Sequence, residues 1–316
     1  MPARTAPSTL CVGLTPAVQE VLEFQPFKEG GVNRPVAVTT SAAGKAVNVA
    51  HVLRTLGGRP LVLGFLGGHT GQMVRADLDR WGVQHEWVPV PEPTRICQTL
   101  LDRATGRITE LVEEAALPSR PAWDGLRRKY ARLAPRVAMI TISGTLMPGA
   151  RPDVYRELAQ VAEQQAVPLI IDSQRVPLLR ALPHHPLVVK LNVEELENTL
   201  ERKLRSARAI LGAARELIAA GARHVVVTHG ARGAWLVSPD KAWRFQSPAI
   251  HAVNPIGSGD AVTAGLAYGL LEQRPLPEAV RLGIACGTAN ALTLTPGTVT
   301  RSTVARLLGA VRCASV

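Results

Sequence analysis

Short apolar runs rich in β-branched residues alternate along the chain with longer stretches in which apolar residues recur every three or four positions. These two periods predict strands and amphipathic helices in alternation, which is the pattern of parallel β-α-β units. The predicted strands are Leu10–Leu14, Leu61–Phe65, Val137–Ile142, Pro168–Ile171, Leu187–Lys190 and His224–Thr228. The predicted helices are Ala46–Leu56, Val154–Gln164, Ser206–Ala220 and Ala261–Leu271.

Two stretches, residues 18–40 and 84–113, interrupt this alternation. Parts of them place apolar side chains at every second position, as at Val36 and Val38, and neither shows a helical stripe. The pattern predicts antiparallel strands, which could form a small β-sheet lid over the carboxyl ends of the parallel strands. Because no linker or repeat is visible, we expect residues 1–316 to form one α/β domain with this insertion. Exposed edges of such a lid favour a homodimer that pairs through it.

The composition narrows the class of protein. With 316 residues, 46% hydrophobic and 19% charged, the chain is typical of a soluble globular protein and not of a disordered or membrane-spanning one. The polar start and the short apolar run at Leu10–Leu14 do not form a signal-peptide core, so we expect a cytoplasmic location. The cysteines are too widely spaced to predict a disulfide framework or a zinc site; they are Cys11, Cys97, Cys286 and Cys313.

The formal net charge of +11 raises the question of nucleic-acid binding. Aromatic residues make up only 4% of the chain and the arginines are scattered, so stacking platforms and a basic stripe are both lacking. We therefore expect no nucleic-acid partner. A positive field favours small anionic ligands such as nucleotides and sugar phosphates.

The segment Asn254-Pro255-Ile256-Gly257-Ser258-Gly259-Asp260 directly precedes a predicted helix. Two glycines allow a turn whose amides point inward, and the helix start adds the positive end of its dipole, so the segment is suited to bind an anion. Asp260 would place a carboxylate beside that anion. Alternatively, Asp260 is a simple helix cap.

Two further segments follow predicted strands. In Lys190-Leu191-Asn192-Val193-Glu194-Glu195, the side chains of Asn192 and Glu195 lie on one helix face and could hold a hydrated Mg²⁺, or could form a capping box. The segment from Thr228 to Ala234 contains Gly230 and Gly233 and suits the close approach of a nucleotide, or is a bare hairpin turn. The sequence leaves both pairs of alternatives open.

Other candidate residues lie near the lid. Lys45 and Asn48 follow Gly44 at a predicted helix start, but the Walker A spacing is absent, which disfavours a P-loop NTPase. Arg95 in the second insert could bind a phosphate through its guanidinium. No histidine lies in a Ser-His-Asp order or at metal-ligand spacing, which disfavours a hydrolase.

Together these motifs resemble those of the ribokinase-like, phosphofructokinase B (PfkB) carbohydrate kinases. The resemblance runs in order from about Leu10 to Val299 and includes Ser143-Gly144-Thr145-Leu146 after a strand. Within the family the chain is most similar to the branch of 1-phosphofructokinases and tagatose-6-phosphate kinases. That similarity rests on Val32-Asn33-Arg34, Thr94-Arg95, Thr109-Glu110 and the Asn-Pro-Ile form of the late motif.

The resemblance implies a three-layer α/β/α fold with a β lid, and transfer of the γ-phosphoryl group of ATP, with Mg²⁺, to a hydroxyl of a sugar phosphate. It implies that Asp260 is the catalytic base and that the amides of Gly257, Ser258 and Gly259 stabilise the moving phosphoryl group. Implied substrate-binding residues are Gln19, Gly44, Lys45, Asn48, Arg95 and Ser143. Implied nucleotide-binding residues are Lys190, Asn192, Glu195, Thr228, Gly230, Gly233, Asn254 and Asn290, of which Asn192 and Glu195 organise Mg²⁺.

Several positions depart from the family pattern: Ala115-Ala116 replaces a Gly-Pro pair in the lid, Leu191 a proline and His229 a leucine, and three more lie near the expected acceptor site. Gln19 stands where members usually have an aspartate, and Ala43 and Ala46 replace glycines on either side of Gly44-Lys45. An amide offers donors that a carboxylate lacks, and the two methyl groups would lie where the backbone approaches the sugar. Two alternatives therefore remain: a kinase of an unphosphorylated sugar or nucleoside, and a non-catalytic ligand-binding protein on the kinase scaffold.

Overall fold

The computed structural model describes residues 8–316; the polar start of the chain, on which the expectation about a signal peptide rests, lies outside this range. The strands are β1 (Ser8–Val12), β2 (Ala17–Phe24), β3 (Ala37–Ala43), β4 (Arg59–Gly67), β5 (Gln84–Val90), β6 (Arg95–Asp102), β7 (Arg107–Val112), β8 (Met139–Ser143), β9 (Leu169–Asp172), β10 (Val188–Asn192), β11 (Val225–Thr228), β12 (Ala234–Val237), β13 (Ala242–Gln246) and β14 (Arg312–Ser315). The helices are α1 (Lys45–Leu56), α2 (Gly68–Trp81), α3 (Arg120–Leu133), α4 (Val154–Gln164), α5 (Arg175–Ala181), α6 (Val193–Leu200), α7 (Ala207–Ala219), α8 (Ser258–Leu271), α9 (Leu276–Asn290) and α10 (Arg301–Ala310). Within residues 8–316, a helix both long and apolar enough to cross a membrane is not found.

A ten-stranded sheet runs through the molecule in the order β14-β13-β12-β11-β10-β9-β8-β1-β4-β5. The strands from β11 to β5 in this order are parallel, and β12, β13 and β14 are added antiparallel at one edge. All six strands and four helices predicted from the apolar periods are present, with ends shifted by a few residues. The alternating pattern of the sequence therefore sets the body of the fold.

Two apolar layers cover the two faces of this sheet. Leu10 and Val12 of β1 pack with α3 to α7, whereas Cys11 between them packs with α1, α2 and α8 to α10. This alternation is what a strand buried on both faces requires, because successive side chains point to opposite sides. The expected three-layer α/β/α architecture is confirmed.

The carboxyl ends of four neighbouring parallel strands meet at one edge of the sheet. β8 ends at Ser143, β9 at Asp172, β10 at Asn192 and β11 at Thr228. The register pairs Ser143 with Asp172 and Asn192 with Thr228, so these polar residues form a row. In open α/β sheets such a row marks the place where ligands bind.

A separate small sheet, made of β3, β2, β6 and β7 in that order, stands over this edge. Its outer strands are antiparallel to their neighbours, but the central pair, β2 and β6, is parallel. The prediction of purely antiparallel strands is therefore wrong at this pair. Residues 84–90, expected in the lid, instead form β5 at the edge of the large sheet. A period of two identifies a strand but does not identify the strand it pairs with. For this reason the sequence analysis was wrong about the β2–β6 pair and about the position of residues 84–90.

Candidate active site

The glycine turn before α8 has the shape that its sequence predicts. Gly257 adopts φ +79°, and a Cβ atom there would lie within 3.0 Å of Pro296 and of the amide of Gly297, so only glycine fits without strain. Gly259 is less confined, because an added Cβ would meet only the end of a side chain, the ammonium nitrogen of Lys190 at 2.7 Å. The turn therefore brings the start of α8 close to the end of β10.

Buried amides hold this turn from behind. Asn290 donates from Nδ2 to the carbonyl of Ile256 at 2.8 Å and accepts the amide of Gly297 at 2.7 Å. Asn254 accepts the amide of Ile256 and donates to the carbonyl of Leu294. Asn254 and Asn290 were expected at the nucleotide, but their side chains are committed to the shape of the turn.

One amide of the turn is also committed. The N–H of Ser258 donates to the carbonyl of Pro255 at 3.1 Å, so its predicted contact with a phosphoryl group would have to replace or share this bond. In the described part of the chain the amides of Gly257 and Gly259 have no such backbone bond. Within residues 8–316 the amide of Asp260 is likewise without such a bond, so the turn and the start of α8 can offer three donors to an anion.

Asp260 lies in the first turn of α8 with only 5% of its surface exposed. Asn48 donates from Nδ2 to its carboxylate Oδ2 at 2.7 Å. Burial raises the pKa of Asp260 to about 7; the negative charge of Asp172 adds to the rise, and Lys45 and the Asn48 hydrogen bond oppose it. A carboxylate with a pKa near neutrality is suited to take up and release a proton.

Asp172, which the sequence analysis missed, lies at the centre of the charged groups. It is fully buried, and its Oδ2 accepts hydrogen bonds from Lys190 and from the hydroxyl of Thr263, both at 2.9 Å. Burial opposes its ionisation, but Lys190 and Lys45 outweigh it and lower the pKa of Asp172 to about 2. Its position at the end of a buried strand, directly beside the strand carrying Lys190, was the signal available in the sequence.

Lys45, the first residue of α1, connects Asp172 to Glu195. Its ammonium nitrogen lies 3.0 Å from Oδ1 of Asp172 and 2.9 Å from Oε1 of Glu195. Burial alone would lower the pKa of Lys45, but the carboxylates of Asp172, Glu195 and Asp260 raise it overall, so the lysine is charged. Glu195 also completes a capping box with Asn192, the alternative foreseen for that pair, in which each accepts the other's backbone amide at 2.8 Å.

Apart from the fully buried Asp172 and Thr263, the charged and polar groups of this cluster line a cavity of about 410 Å³ between the large and small sheets. Sequence-predicted residues that line it are Gln19, Gly44, Lys45, Asn48, Arg95, Lys190, Asn192, Glu195, Gly257, Gly259 and Asp260. Ser143 does not line it: the residue is buried, and its hydroxyl has no hydrogen-bond partner within residues 8–316. Ala46 also faces away, because its methyl group fills the space above Gly13, so its departure from the family pattern leaves the cavity unchanged.

The small sheet closes one side of this cavity. Gln19 is buried and donates from Nε2 to the hydroxyl of Thr99 at 2.9 Å, across the β2–β6 pair. Arg95 donates from its two terminal nitrogens to the backbone carbonyls of Glu113 and Thr15. The bond to Thr15 joins the small sheet to the loop after β1, whereas the other two lie within the small sheet and the segment that follows it.

A second cavity of about 730 Å³ lies beside the hairpin between β11 and β12. Thr228, His229 and Gly230 line it, and Asn192 lines both cavities and marks their junction. The hairpin foreseen as an alternative for this segment is present, with Gly233 packed against the carbonyl of Phe245 and outside the lining. Burial, with Arg232 and Arg244 nearby, lowers the pKa of His229, so its ring is neutral near pH 7.

The chain matches the family described as pfkB family carbohydrate kinases over residues 7–301. A 1-phosphofructokinase from Borreliella burgdorferi is 31% identical over 280 residues, which are 88% of this chain and 90% of that protein. The crystal structure of phosphofructokinase-2 from Escherichia coli in complex with fructose-6-phosphate has 25% identity and a TM-score of 0.86, covering 96% of this chain and 98% of that one. Arabidopsis thaliana ribokinase, complexed with ribose and ATP, shares the fold at 20% identity, with a TM-score of 0.77 over 96% of this chain and 99% of that one.

Proposed function

Since the chain belongs to the pfkB family of carbohydrate kinases, we propose that it transfers the γ-phosphoryl group of ATP to a hydroxyl of a phosphorylated ketohexose. Fructose 1-phosphate, fructose 6-phosphate and tagatose 6-phosphate are the acceptors of this class. The single observation that carries the proposal is Asp260, a buried carboxylate with a pKa near 7 at the start of α8, beside the free amides of Gly257 and Gly259.

A phosphorylated acceptor is supported by the lining of the 410 Å³ cavity. Lys45 and Arg95 bring positive charge to its walls, and Asn48 and Gln19 bring amides that can bind sugar hydroxyls. The names of the matched proteins agree: one is a 1-phosphofructokinase and another is a phosphofructokinase in complex with fructose-6-phosphate.

In the proposed reaction, the carboxylate of Asp260 takes the proton of the acceptor hydroxyl. The hydroxyl oxygen forms a bond to the γ-phosphorus while the bond from that phosphorus to the β,γ-bridging oxygen breaks, and ADP leaves. Asn48 orients the carboxylate through its 2.7 Å hydrogen bond. The amides of Gly257 and Gly259 stabilise negative charge on the moving group, and this positioning and charge stabilisation is most of what phosphoryl transfer requires.

Asp172 and Glu195 are the residues that would hold Mg²⁺. Mg²⁺ binds few protein oxygens and keeps waters and phosphate ligands, so two carboxylates can suffice. A cluster of three or more acidic, histidine or cysteine side chains is not found within residues 8–316. One oxygen of each of the two carboxylates converges on the same ammonium of Lys45, so a cation already fits between them. Asn192 would orient Glu195 through the capping box. When bound, the metal neutralises phosphate charge.

The larger cavity, beside the hairpin, is the proposed entry for the nucleotide. Thr228 and Gly230 line it, and Asn192 connects it to the cavity that holds Asp260. A nucleotide that passes this junction brings its phosphates toward Lys190 and the glycine turn.

One observation favours the second candidate, a kinase of an unphosphorylated sugar. Arg95 already spends two of its five N–H donors on backbone carbonyls, at 2.9 and 3.0 Å, so the protein alone sets the position of the guanidinium and a phosphate is not needed to hold it. The acceptor panel described next separates the two candidates.

The test is an assay of ADP formation with MgATP and each of the three phosphoketohexoses, and with free fructose, tagatose and ribose. We expect turnover on a phosphorylated ketohexose. Asp260→Asn should lower kcat on that acceptor by roughly 10² to 10⁴, the usual contribution of a positioned general base. Asp240→Asn, at an exposed aspartate, is the matched control and should leave kcat unchanged. A wild-type kcat in Asp260→Asn would contradict the role of Asp260.

We also propose that two copies of the chain pair through the small sheet. Its outer strands present exposed apolar side chains, among them Val38, Leu111 and Val112 at 53%, 48% and 53% exposure. In the described chain the free edges of β3 and β7 have no strand partner. A second copy that covers these side chains and strand edges would remove apolar surface from water and would give the unpaired backbone groups hydrogen-bond partners.

A further inference from the structure

The bridge formed by Lys45 is the only part of the charged cluster that reaches solvent to a large extent. The side chain of Lys45 is 31% exposed, whereas those of Glu195 and Asp172 are 12% and 0% exposed. Its stem is a flexible chain of four carbons that can move without changing the backbone. The two carboxylates, in contrast, are held within elements of the large sheet and of α6.

Each carboxylate has one fixed oxygen and one that depends on Lys45. Oδ2 of Asp172 is bound by Lys190 and Thr263, and Oε2 of Glu195 accepts the backbone amide of Asn192. The remaining oxygens, Oδ1 and Oε1, contact the Lys45 ammonium. They are also the oxygens that converge on one point, so a second cation can reach both only by replacing that ammonium.

Two cations cannot share this position, because like charges a few ångströms apart in a partly buried site repel strongly. An unbalanced buried carboxylate is also unfavourable, so one cation or the other must be present. A displaced Lys45 remains at the wall of the same 410 Å³ cavity, which Arg95 also lines. From that position the ammonium can bind an anion in the cavity.

We propose that Lys45 is a movable counter-ion: a divalent cation displaces its ammonium from Asp172 and Glu195, and the released ammonium binds the phosphate of the sugar substrate. This inference rests on the proposed function. The two ligands then bind cooperatively although they do not touch each other. Since linkage is reciprocal, sugar phosphate strengthens binding of the cation by the same factor as the cation strengthens binding of sugar phosphate.

The first test measures Mn²⁺ binding by electron paramagnetic resonance, in the absence of nucleotide. Lys45→Met should bind Mn²⁺ more tightly than the wild type, because its carboxylates have lost their competitor. In the wild type, saturating fructose 1-phosphate or fructose 6-phosphate should tighten Mn²⁺ binding by about 5- to 150-fold, the usual range of coupling between sites. In Lys45→Met this effect should vanish. Lys241→Met, at an exposed lysine, is the matched control.

The second test uses the unaltered protein, so it does not depend on the folding of a variant. Reductive methylation followed by peptide mass spectrometry measures how readily each lysine reacts. Addition of Mg²⁺ should increase modification of Lys45 and leave that of Lys241 unchanged. Equal reactivity of Lys45 with and without Mg²⁺, or equal Mn²⁺ affinity of Lys45→Met and the wild type, would overturn the proposal.

These outcomes are separate from those of the proposed function. If ADP forms with a phosphoketohexose but Lys45 fails both tests, only the movable counter-ion is wrong. If every acceptor in the panel fails, the proposed reaction is wrong, and competition between Lys45 and the divalent cation is still measured directly.

Discussion

The two walls of the 410 Å³ cavity are built differently. On the wall of the large sheet, Lys190, Asn48 and Asp260 are buried, and each bonds to a side chain on another element; the partner of Lys190 is Asp172, which is fully buried and lies behind the lining. On the wall of the small sheet, Arg95 is partly exposed and its terminal nitrogens bond to backbone carbonyls. The first wall is fixed by charged and polar side chains that bond to one another, whereas Arg95 on the second is held by backbone carbonyls, which every residue offers.

The departures from the family pattern that reach the cavity, Gln19 and Ala43, both belong to the small sheet. Ala46, the departure on the large-sheet side, packs its methyl group against Gly13 and so does not enter the cavity. From this comparison we infer that the two sheets have different roles: residues of the large sheet carry out the proposed phosphoryl transfer, and residues of the small sheet determine which acceptor binds. Four substitutions follow: Asp172→Asn and Asn48→Leu on the large-sheet side, and Arg95→Gln and Val38→Lys in the small sheet.

Asp172→Asn should have the largest effect. It leaves Lys190 buried without a full counter-charge, and loss of one partner of a buried pair lowers the free energy of unfolding by about 3–5 kcal/mol. Because the pKa of Asp172 falls from 3.8 to about 2 on folding, its contribution is complete above about pH 4 and is lost as the pH falls toward 2. Urea unfolding between pH 7 and pH 2 should therefore show a weaker acid dependence in the variant. Asp240→Asn, exposed, should match the wild type throughout.

Arg95→Gln should weaken binding of a phosphorylated acceptor and leave the phosphoryl transfer step nearly unchanged. A hydrogen bond to a charged group contributes about 1.5–3 kcal/mol, so KM for a phosphorylated acceptor should rise by roughly 10- to 100-fold with kcat much less affected. Turnover of a neutral sugar should not change. Steady-state kinetics of Arg95→Gln and of Arg107→Gln, an exposed arginine in the same small sheet, would measure this. An equal loss on both types of acceptor would place Arg95 in the structure of the site and not in phosphate binding.

Asn48→Leu should shift a pH profile. The Asn48 hydrogen bond favours the charged form of Asp260 and so opposes the rise of its pKa to about 7. Without that bond the pKa rises further, and the acidic limb of kcat/KM should move to higher pH by up to about one unit, since one pKa unit corresponds to about 1.4 kcal/mol. An unchanged limb with a lowered maximum would mean that Asp260 is not the group that titrates.

Val38→Lys should have the smallest effect on stability and a clear effect on assembly. Val38 is 53% exposed, so the free energy of unfolding of one subunit should change by no more than about 0.5 kcal/mol. A charge on the proposed contact face should, however, convert a dimer into a monomer, as measured by light scattering at micromolar concentration. Val176→Lys, similarly exposed on α5, is the control. A dimer that survives Val38→Lys would locate the contact elsewhere.

The sequence predicted the large sheet well, because buried parallel strands and amphipathic helices each have a period of their own. It also identified most residues of the cavity, since the glycine turn and the strand ends are local features. It missed Asp172, whose partner Lys45 is 127 positions away in the chain, and it misassigned residues 84–90. Pairing between distant segments depends on tertiary packing, and no local pattern records it.

The contact of Gly259 with Lys190 sets a limit on how this enzyme can change. A methyl group at position 259 would meet the ammonium that holds Asp172, so a larger residue there requires Lys190 to move as well. New acceptors can therefore be accommodated by replacing residues of the small sheet, one at a time. The wall of the large sheet can change only when several of its residues are replaced together. Among variants selected for a new acceptor, we therefore expect most substitutions to lie in the small sheet.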